Sequence, residues 1–340
     1  MVKSIASEKI PRNKIFFGNM DYKAVIKDAW LLAKDDRRLF WWWTFMPALL
    51  SIIVGIGYFG YQVMALSTSP VVTKNSDSAS FMMEMFKWIV GLFQTNTSLG
   101  IVLIIVAAVI GLLYLVYPTF SRAALIQLIA RIRNKQEVKM LDGITYGALG
   151  FLKLFEYHLL IKTFSFVAVI TEALFVLRNL GWDALGILTI PFILFGFFGF
   201  AVMLFLTYTD FYIVIDEKGV IKSIGESMRL VVRQWRHTLF ILILMMLISL
   251  RIILNILLVL LVPSLIFIAA GVLATLTFAK IGMVIGAIVG FAGLFFAAYL
   301  TGILEVFVNA VWVFTFLELT EEGEVHARDK GDEITAERTG

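Results

Sequence analysis

Hydrophobic and polar positions along this chain fall into long blocks. Apolar runs of membrane-spanning length occupy Leu39–Leu66, Leu99–Phe120, Tyr157–Leu177, Ala184–Tyr208, His237–Val262 and Gly286–Phe316. A helix needs about 20 apolar residues to cross the hydrocarbon core. These runs lack the period-two alternation of barrel strands, so helices are the way to pair their backbone in lipid. A different pattern precedes every second run. In the third lead-in, Ile221, Ile224, Met228, Val231 and Trp235 recur at steps of three and four, with Lys222, Glu226, Arg229, Arg233 and Arg236 opposite them. Leu141, Ile144, Ala148, Phe151 and Phe155 repeat the apolar rhythm, as do Tyr22, Val25, Ile26, Ala29 and Ala33. Such stretches predict amphipathic helices in the headgroup plane. The expected architecture is an all-α polytopic transmembrane helical bundle of about six spans. Three repeated hairpins make it up, each led by a cytoplasmic amphipathic helix. Only Pro263 and Lys280–Gly282 interrupt 237–318; two spans is the favoured reading there and four the alternative.

Charge orients these spans. Lys and Arg number nine in residues 1–38, six in 121–156 and five in 209–236, whereas the alternate loops hold Lys74 and Lys87, Arg178, and Lys280. The positive-inside rule therefore predicts both termini in the cytoplasm. Trp41, Trp42 and Trp43 directly follow Arg37 and Arg38, where an interfacial aromatic belt belongs, and Trp235 precedes the fifth span. Domain organisation follows: 1–38, a cytoplasmic segment with its amphipathic helix; 39–318, the membrane domain; 319–340, an acidic tail without apolar periodicity, expected to be disordered. The outer loop 67–98 contains one further predicted interfacial helix, Phe81–Gln94, with Glu84, Lys87, Gly91 and Gln94 as its polar stripe.

Composition agrees: 60% of residues are hydrophobic and 16% charged, with a mean hydropathy of +0.90. The absence of cysteine excludes disulfides, thiolate metal sites and a thiol nucleophile. Residues 1–38 carry charge throughout, so no cleavable signal peptide is expected and the first span serves as the insertion signal.

The stretch Tyr208–Arg236, reading YTDFYIVIDEKGVIKSIGESMRLVVRQWR, and the Tyr117-Pro118 exit from the second span followed by Arg122–Arg133 form a recurring pattern. They resemble a broad family of prokaryotic six-helix integral membrane proteins of unassigned function. That family is similar to the membrane domain attached to some glycerophosphoryl diester phosphodiesterases. The resemblance covers about residues 20–318 and implies a helical bundle in a prokaryotic cell membrane. It does not imply the phosphodiesterase. That catalytic domain resembles a TIM barrel of about 250 residues, and the longest hydrophilic segment here is the N-terminal one.

Chemical motifs are sparse. Gly55-Ile-Gly57-Tyr-Phe-Gly60 matches a dinucleotide fingerprint but lies inside an apolar span, which points to helix packing. Gly282, Gly286 and Gly290 give two overlapping G-x-x-x-G units, again read as close packing within the chain. His158, His237 and His326 are scattered, so no metal site, cofactor or catalytic residue is assigned. One constellation has content. Arg251 and Glu305 both lie about 20 Å from the cytoplasmic boundary, at 1.5 Å per residue. Asn255 is one turn beyond Arg251, Thr301 and Asn309 flank Glu305, and Glu172 is a third ionisable member in span three. Charges at membrane depth need partners inside the bundle. Either the cluster is a buried ion pair fixing helix register, or it is a polar pathway. Lys222, Arg229, Arg233, Arg236, Arg37 and Arg38 are the expected contacts to anionic lipid headgroups. The bilayer is thus the expected partner, and no nucleic acid is. The expected function is a non-catalytic membrane scaffold or accessory component; the alternative is a transporter or lipid-handling protein using Arg251 and Glu305. Glu305→Gln is expected to lower the melting temperature and folded yield of the purified protein much more than Glu172→Gln.

Overall fold

The computed structural model describes residues 21–35, 41–67, 87, 90, 91, 93–161, 166–248, 250 and 279–339. Its elements are α1 (Tyr22–Asp35), a π-helical turn (Trp41–Phe45) running into α2 (Met46–Ser67), α3 (Thr97–Arg133), α4 (Asp142–Ile161), α5 (Phe166–Phe205), α6 (Thr209–Val214), α7 (Val220–Arg233), α8 (Trp235–Ile248) and α9 (Ala279–Thr339). Among the described residues there are no strands. Four helical stretches are long and apolar enough to cross a membrane: Trp41–Ser67, Thr97–Arg133, Ala168–Val214 and Gly290–Glu321. A fifth results if α7 and α8, bent by 94°, count as one broken span. The chain is built as a multi-pass helical membrane protein. Most of the expected Pro263–Gly282 excursion, most of the second half of the fifth span and most of the outer loop lie outside the described residues.

Local chemistry explains the irregular points. Pro47 has no N–H to give to the carbonyl four residues earlier, and the freed Trp43 carbonyl accepts from the Ser121 hydroxyl instead. Tyr117 donates to the neighbouring Trp42 carbonyl. These two bonds fasten the start of α2 to α3 at the end of the bundle that carries the basic segments. Gly181, at φ 84°, interrupts α5. A straight helix of 40 residues would be about 60 Å long. Yet Tyr157, just before α5, donates to the carbonyl of Leu206, just after it. Val169 and Phe200 also line one cavity. The chain therefore turns back on itself at Gly181, a conformation that suits a residue without a Cβ.

The packed core sits at the basic end. The most apolar windows of the first three spanning stretches are only 6% buried, against 22% for Gly290–Glu321. The buried set instead includes Ala123–Ile126 and Leu128–Ala130 of α3, Leu154 and Tyr157 of α4, Tyr208 with all of α6, and Val306, Phe307, Asn309–Val311, Val313–Phe316 and Leu319 of α9. Arg133 meets Glu318 at 3.6 Å, and Arg122 lies within electrostatic reach of Glu305, so α3 and α9 run in the same direction. Asp21 caps α1 through the Lys23 and Ala24 amides. Helix α1 then lays its expected face, Val25, Ala29 and Ala33, against α9, with Trp30 edge-on to Phe307.

The other two lead-in helices bury different faces. In α4 the packed positions are Gly143, Gly147, Gly150, Leu154 and Tyr157, while Leu141 and Ile144 point outward. In α7 they are Ser223, Ser227, Leu230 and Val231, while Ile221 (86% exposed), Met228 and Trp235 point outward with Lys222, Arg229 and Arg233. Lipid tails are as apolar as leucine, so burying leucine between helices gains little. Small residues let backbones approach closely. An added Cβ would meet nothing within 4 Å at Gly55, Gly57, Gly60 or Gly290, so these glycines make no close packing among the described residues. The surroundings of Gly282 and Gly286 lie outside the described residues. Helix α9 runs on to Thr339, through the acidic tail for which disorder was expected; Glu, Ala, Lys and Arg favour helix without any core.

An added Cβ at Gly147 would approach the Phe120 ring to 2.9 Å, and one at Gly143 the Trp43 ring to 2.7 Å. Gly147→Leu should therefore destabilise by about 1–3 kcal/mol through overpacking. Gly57→Leu should be near neutral. Thermal melts of the detergent-solubilised variants check the contrast.

Candidate functional site

The site is built around the break between α5 and α6. Helix α5 ends at Phe205, leaving its carbonyl without a helical partner. Ser227 of α7 donates its hydroxyl to that carbonyl at 2.8 Å and accepts from the Tyr208 amide at 3.1 Å. The buried Tyr208 hydroxyl is paired with Thr238 of α8 at 3.1 Å, and its ring packs against Phe211, Trp312 and Phe316. Gln127 of α3 holds the far end of α6 by donating to the Val214 carbonyl. Every residue of α6 is buried. Just beyond, Lys218 contacts Asp216 at 2.7 Å and also Glu226. Partial burial pulls its pKa down, but the two carboxylates outweigh that and hold it above the usual lysine value.

This scaffold presents Asp210. Its Oδ2 lies 2.6 Å from Arg122 Nε of α3, and its Oδ1 lies 3.4 Å from His158 Nε2 of α4. His158 Nδ1 in turn lies 3.4 Å from the Thr119 hydroxyl. The Asp210 side chain is 9% exposed, whereas that of Arg122 keeps 40% of its surface. The carboxylate is thus enclosed while the guanidinium, held through one nitrogen, retains open donors. Asp210 and Arg122 cancel in charge, and Glu305 is the next acid to act on Arg122.

A cavity of about 500 Å³ opens over this group. Arg122, Asp210, His158, Tyr157 and Thr207 give it a polar floor, and its walls include Val169, Phe200, Met203, Leu242 and Trp312. A larger hollow of about 770 Å³ lies between α2, α3 and the start of α4, lined by Trp42, Met46, Ile53, Leu113, Phe120 and Ile144. Among the described residues its lining has no charged side chain, whereas that of the smaller cavity has several. The smaller cavity combines apolar walls with a few converging polar groups, the usual make-up of a ligand site.

The residues expected from sequence are distributed differently. Arg251 and Asn255 lie outside the described residues, as do Arg37 and Arg38. Glu305 is within electrostatic reach of Arg122. Asn309 is buried and spends its amide on the Glu305 backbone carbonyl at 2.8 Å, and Thr301 is half-buried one turn before Glu305. Glu172 is exposed and does not line the cavity. Lys222, Arg229, Arg233 and Arg236 are exposed, and Arg236 lies over the Trp235 ring at 5.6 Å. No group of three His, Asp or Glu among the described residues could hold a metal ion. The sequence reading missed Asp210 as a site residue, although it stood inside the recurring stretch Tyr208–Arg236. The available signal was an acid at the end of an apolar span, with an arginine just past Pro118 in another.

Removing the partner of an enclosed charge leaves that charge uncompensated, at a cost of about 3–5 kcal/mol. Arg122→Ala, which strands the enclosed Asp210 carboxylate, should lose stability on that scale. Glu318→Gln, which breaks a more exposed pair, should lose no more than about 1 kcal/mol. Parallel thermal or denaturant melts decide this. Comparison of the chain with protein-family models, curated proteins and solved structures finds no match.

Proposed function

We propose that this protein handles an amphiphilic ligand, a lipid or lipid-like molecule, in the cavity floored by Arg122, Asp210 and His158. Of the two functions considered from sequence, the cavity favours lipid handling or transport over scaffolding. The observation that carries this reading is the join of an enclosed polar floor to apolar walls in about 500 Å³. A scaffold needs no hollow beside a buried ion pair. An amphiphile is the ligand whose two halves match such a lining. No step in this reading needs covalent chemistry, so the protein is read as non-catalytic.

The membrane arrangement that goes with it has six spans. The reversal at Gly181 supports counting α5 twice, and α2, α3, α8 and α9 supply the others. Helices α1, α4 and α7 then lead three hairpins, and the 94° bend between α7 and α8 suits an in-plane helix meeting a span. The basic segments favour cytoplasmic termini. The resemblance to prokaryotic six-helix membrane proteins favours a prokaryotic plasma membrane.

Native mass spectrometry with lipid identification tests the reading on wild type, Arg122→Ala and Gly196→Leu. Gly196 lines the cavity, and an added Cβ there meets nothing within 4 Å, so a larger side chain fills the hollow without disturbing the fold. Overpacking the ligand costs about 1–3 kcal/mol, which lowers its affinity about 5- to 150-fold. Wild type should retain a defined lipid or metabolite that both variants lose. Identical bulk lipid on all three proteins would instead support a scaffold.

A further inference from the structure

A second, smaller pocket lies on the other side of α6 from the Asp210 cavity, between the end of α3, the middle of α4 and the turn after α6. Its volume is about 170 Å³, and its lining includes Arg131, Lys153, Gln127, Tyr146, Leu149 and Glu217. At about 30 Å³ per water, that is room for a small polyatomic ion with a few waters. We propose that Arg131 and Lys153 make this pocket a binding site for a phosphate group.

Among the described residues, neither cation is paired with a carboxylate. The Arg131 guanidinium stacks 4.2 Å over the Tyr146 ring, and its Nη1 donates to the Gln136 side chain at 3.1 Å. Its Nε is buried and has no hydrogen-bond partner. Lys153 Nζ donates at 2.7 Å to the backbone carbonyl of Glu217, which accounts for one of its three donors. The ion pairs among the described residues involve other side chains: Arg122, Arg133 and Lys218, with His158 as the fourth partner. Glu217 is the sole acid in the lining, so the pocket carries an excess of one positive charge.

The arrangement selects the ligand class. A planar carboxylate is satisfied by one guanidinium fork alone. A fork on α3 and a point charge on α4 approach from different elements, which suits a tetrahedral group offering several oxygens. The phosphate can belong to a lipid headgroup or be free in solution. Leu149 at the rim and Leu152 one turn away are both exposed, and they offer apolar surface beside the pocket for an acyl chain.

The test uses the full chain in nanodiscs of neutral lipid. Melting temperature is followed against inorganic phosphate, with chloride at matched ionic strength as reference. Retention of phosphatidic acid is measured by native mass spectrometry. Lys153→Gln keeps a donor for the Glu217 carbonyl and removes the charge, so it folds as wild type. Arg131→Gln is the second variant, and Lys27→Gln on the exposed face of α1 is the control. Wild type and Lys27→Gln should show saturable binding, with affinity about tenfold lower in the other two, the loss of one charge-assisted hydrogen bond. A response to inorganic phosphate identifies a soluble ligand, and one to phosphatidic acid alone identifies a lipid headgroup. No response in wild type, or equal responses in all four proteins, overturns the proposal.

Discussion

The enclosed carboxylate of Asp210 is the constraint around which the basic end of the bundle is organised. An ion removed from water is costly unless its partners are close and well placed. Asp210 finds them on two other helices: Arg122 of α3 at 2.6 Å and His158 of α4 at 3.4 Å. Its own helix, α6, is only six residues long and is seated by contacts from α3, α7, α8 and α9. Shifting any of these elements would strand a charge or leave the broken end of α5 with unpaired backbone groups. The electrostatic demand and the packing therefore reinforce each other.

The surrounding hydrocarbon changes the packing rules. In water, helices α4 and α7 would turn their leucine and isoleucine faces inward. Here glycine and serine take a large share of the packed positions, beside Leu154, Tyr157, Leu230 and Val231, while Ile144, Leu149, Leu152, Ile221 and Met228 face outward. Apolar burial supplies little drive where the surroundings are hydrocarbon, so contact is decided by how closely backbones approach and by which polar atoms need partners. Ser121 and Ser227 illustrate the second rule. One supplies the donor that Pro47 cannot, and the other closes both sides of a helix break.

The same end of the molecule holds the two hollows with polar linings. They differ in electrostatic character. The Asp210 cavity has a charge-balanced floor under apolar walls, whereas the Arg131 pocket is small and is lined by two cations and one acid, Glu217. The first suits an amphiphile, and the second a phosphate. Helix α6 separates them, with Asp210 on one side and Ile213 and Val214 on the other. One short buried helix thus forms a wall of both.

The amphipathic faces and apolar runs were legible from sequence because each is a local property: hydropathy and period decide whether a segment can cross or lie on a membrane. The break at Gly181 was legible for the same reason, since it falls between two apolar runs beside the isolated Arg178. Motif spacing does not say which side of a helix has a neighbour. Gly57 and Gly147 look alike in sequence, yet among the described residues only Gly147 faces another helix. Glu305 stood out as a charge in an apolar run, but its described cationic neighbour, Arg122, lies on a helix far away along the chain. The sequence by itself determined which segments are helical and apolar enough for lipid. Only the tertiary structure decided which charges meet and where hollows remain, because ion pairing and close packing depend on distances between segments remote in sequence.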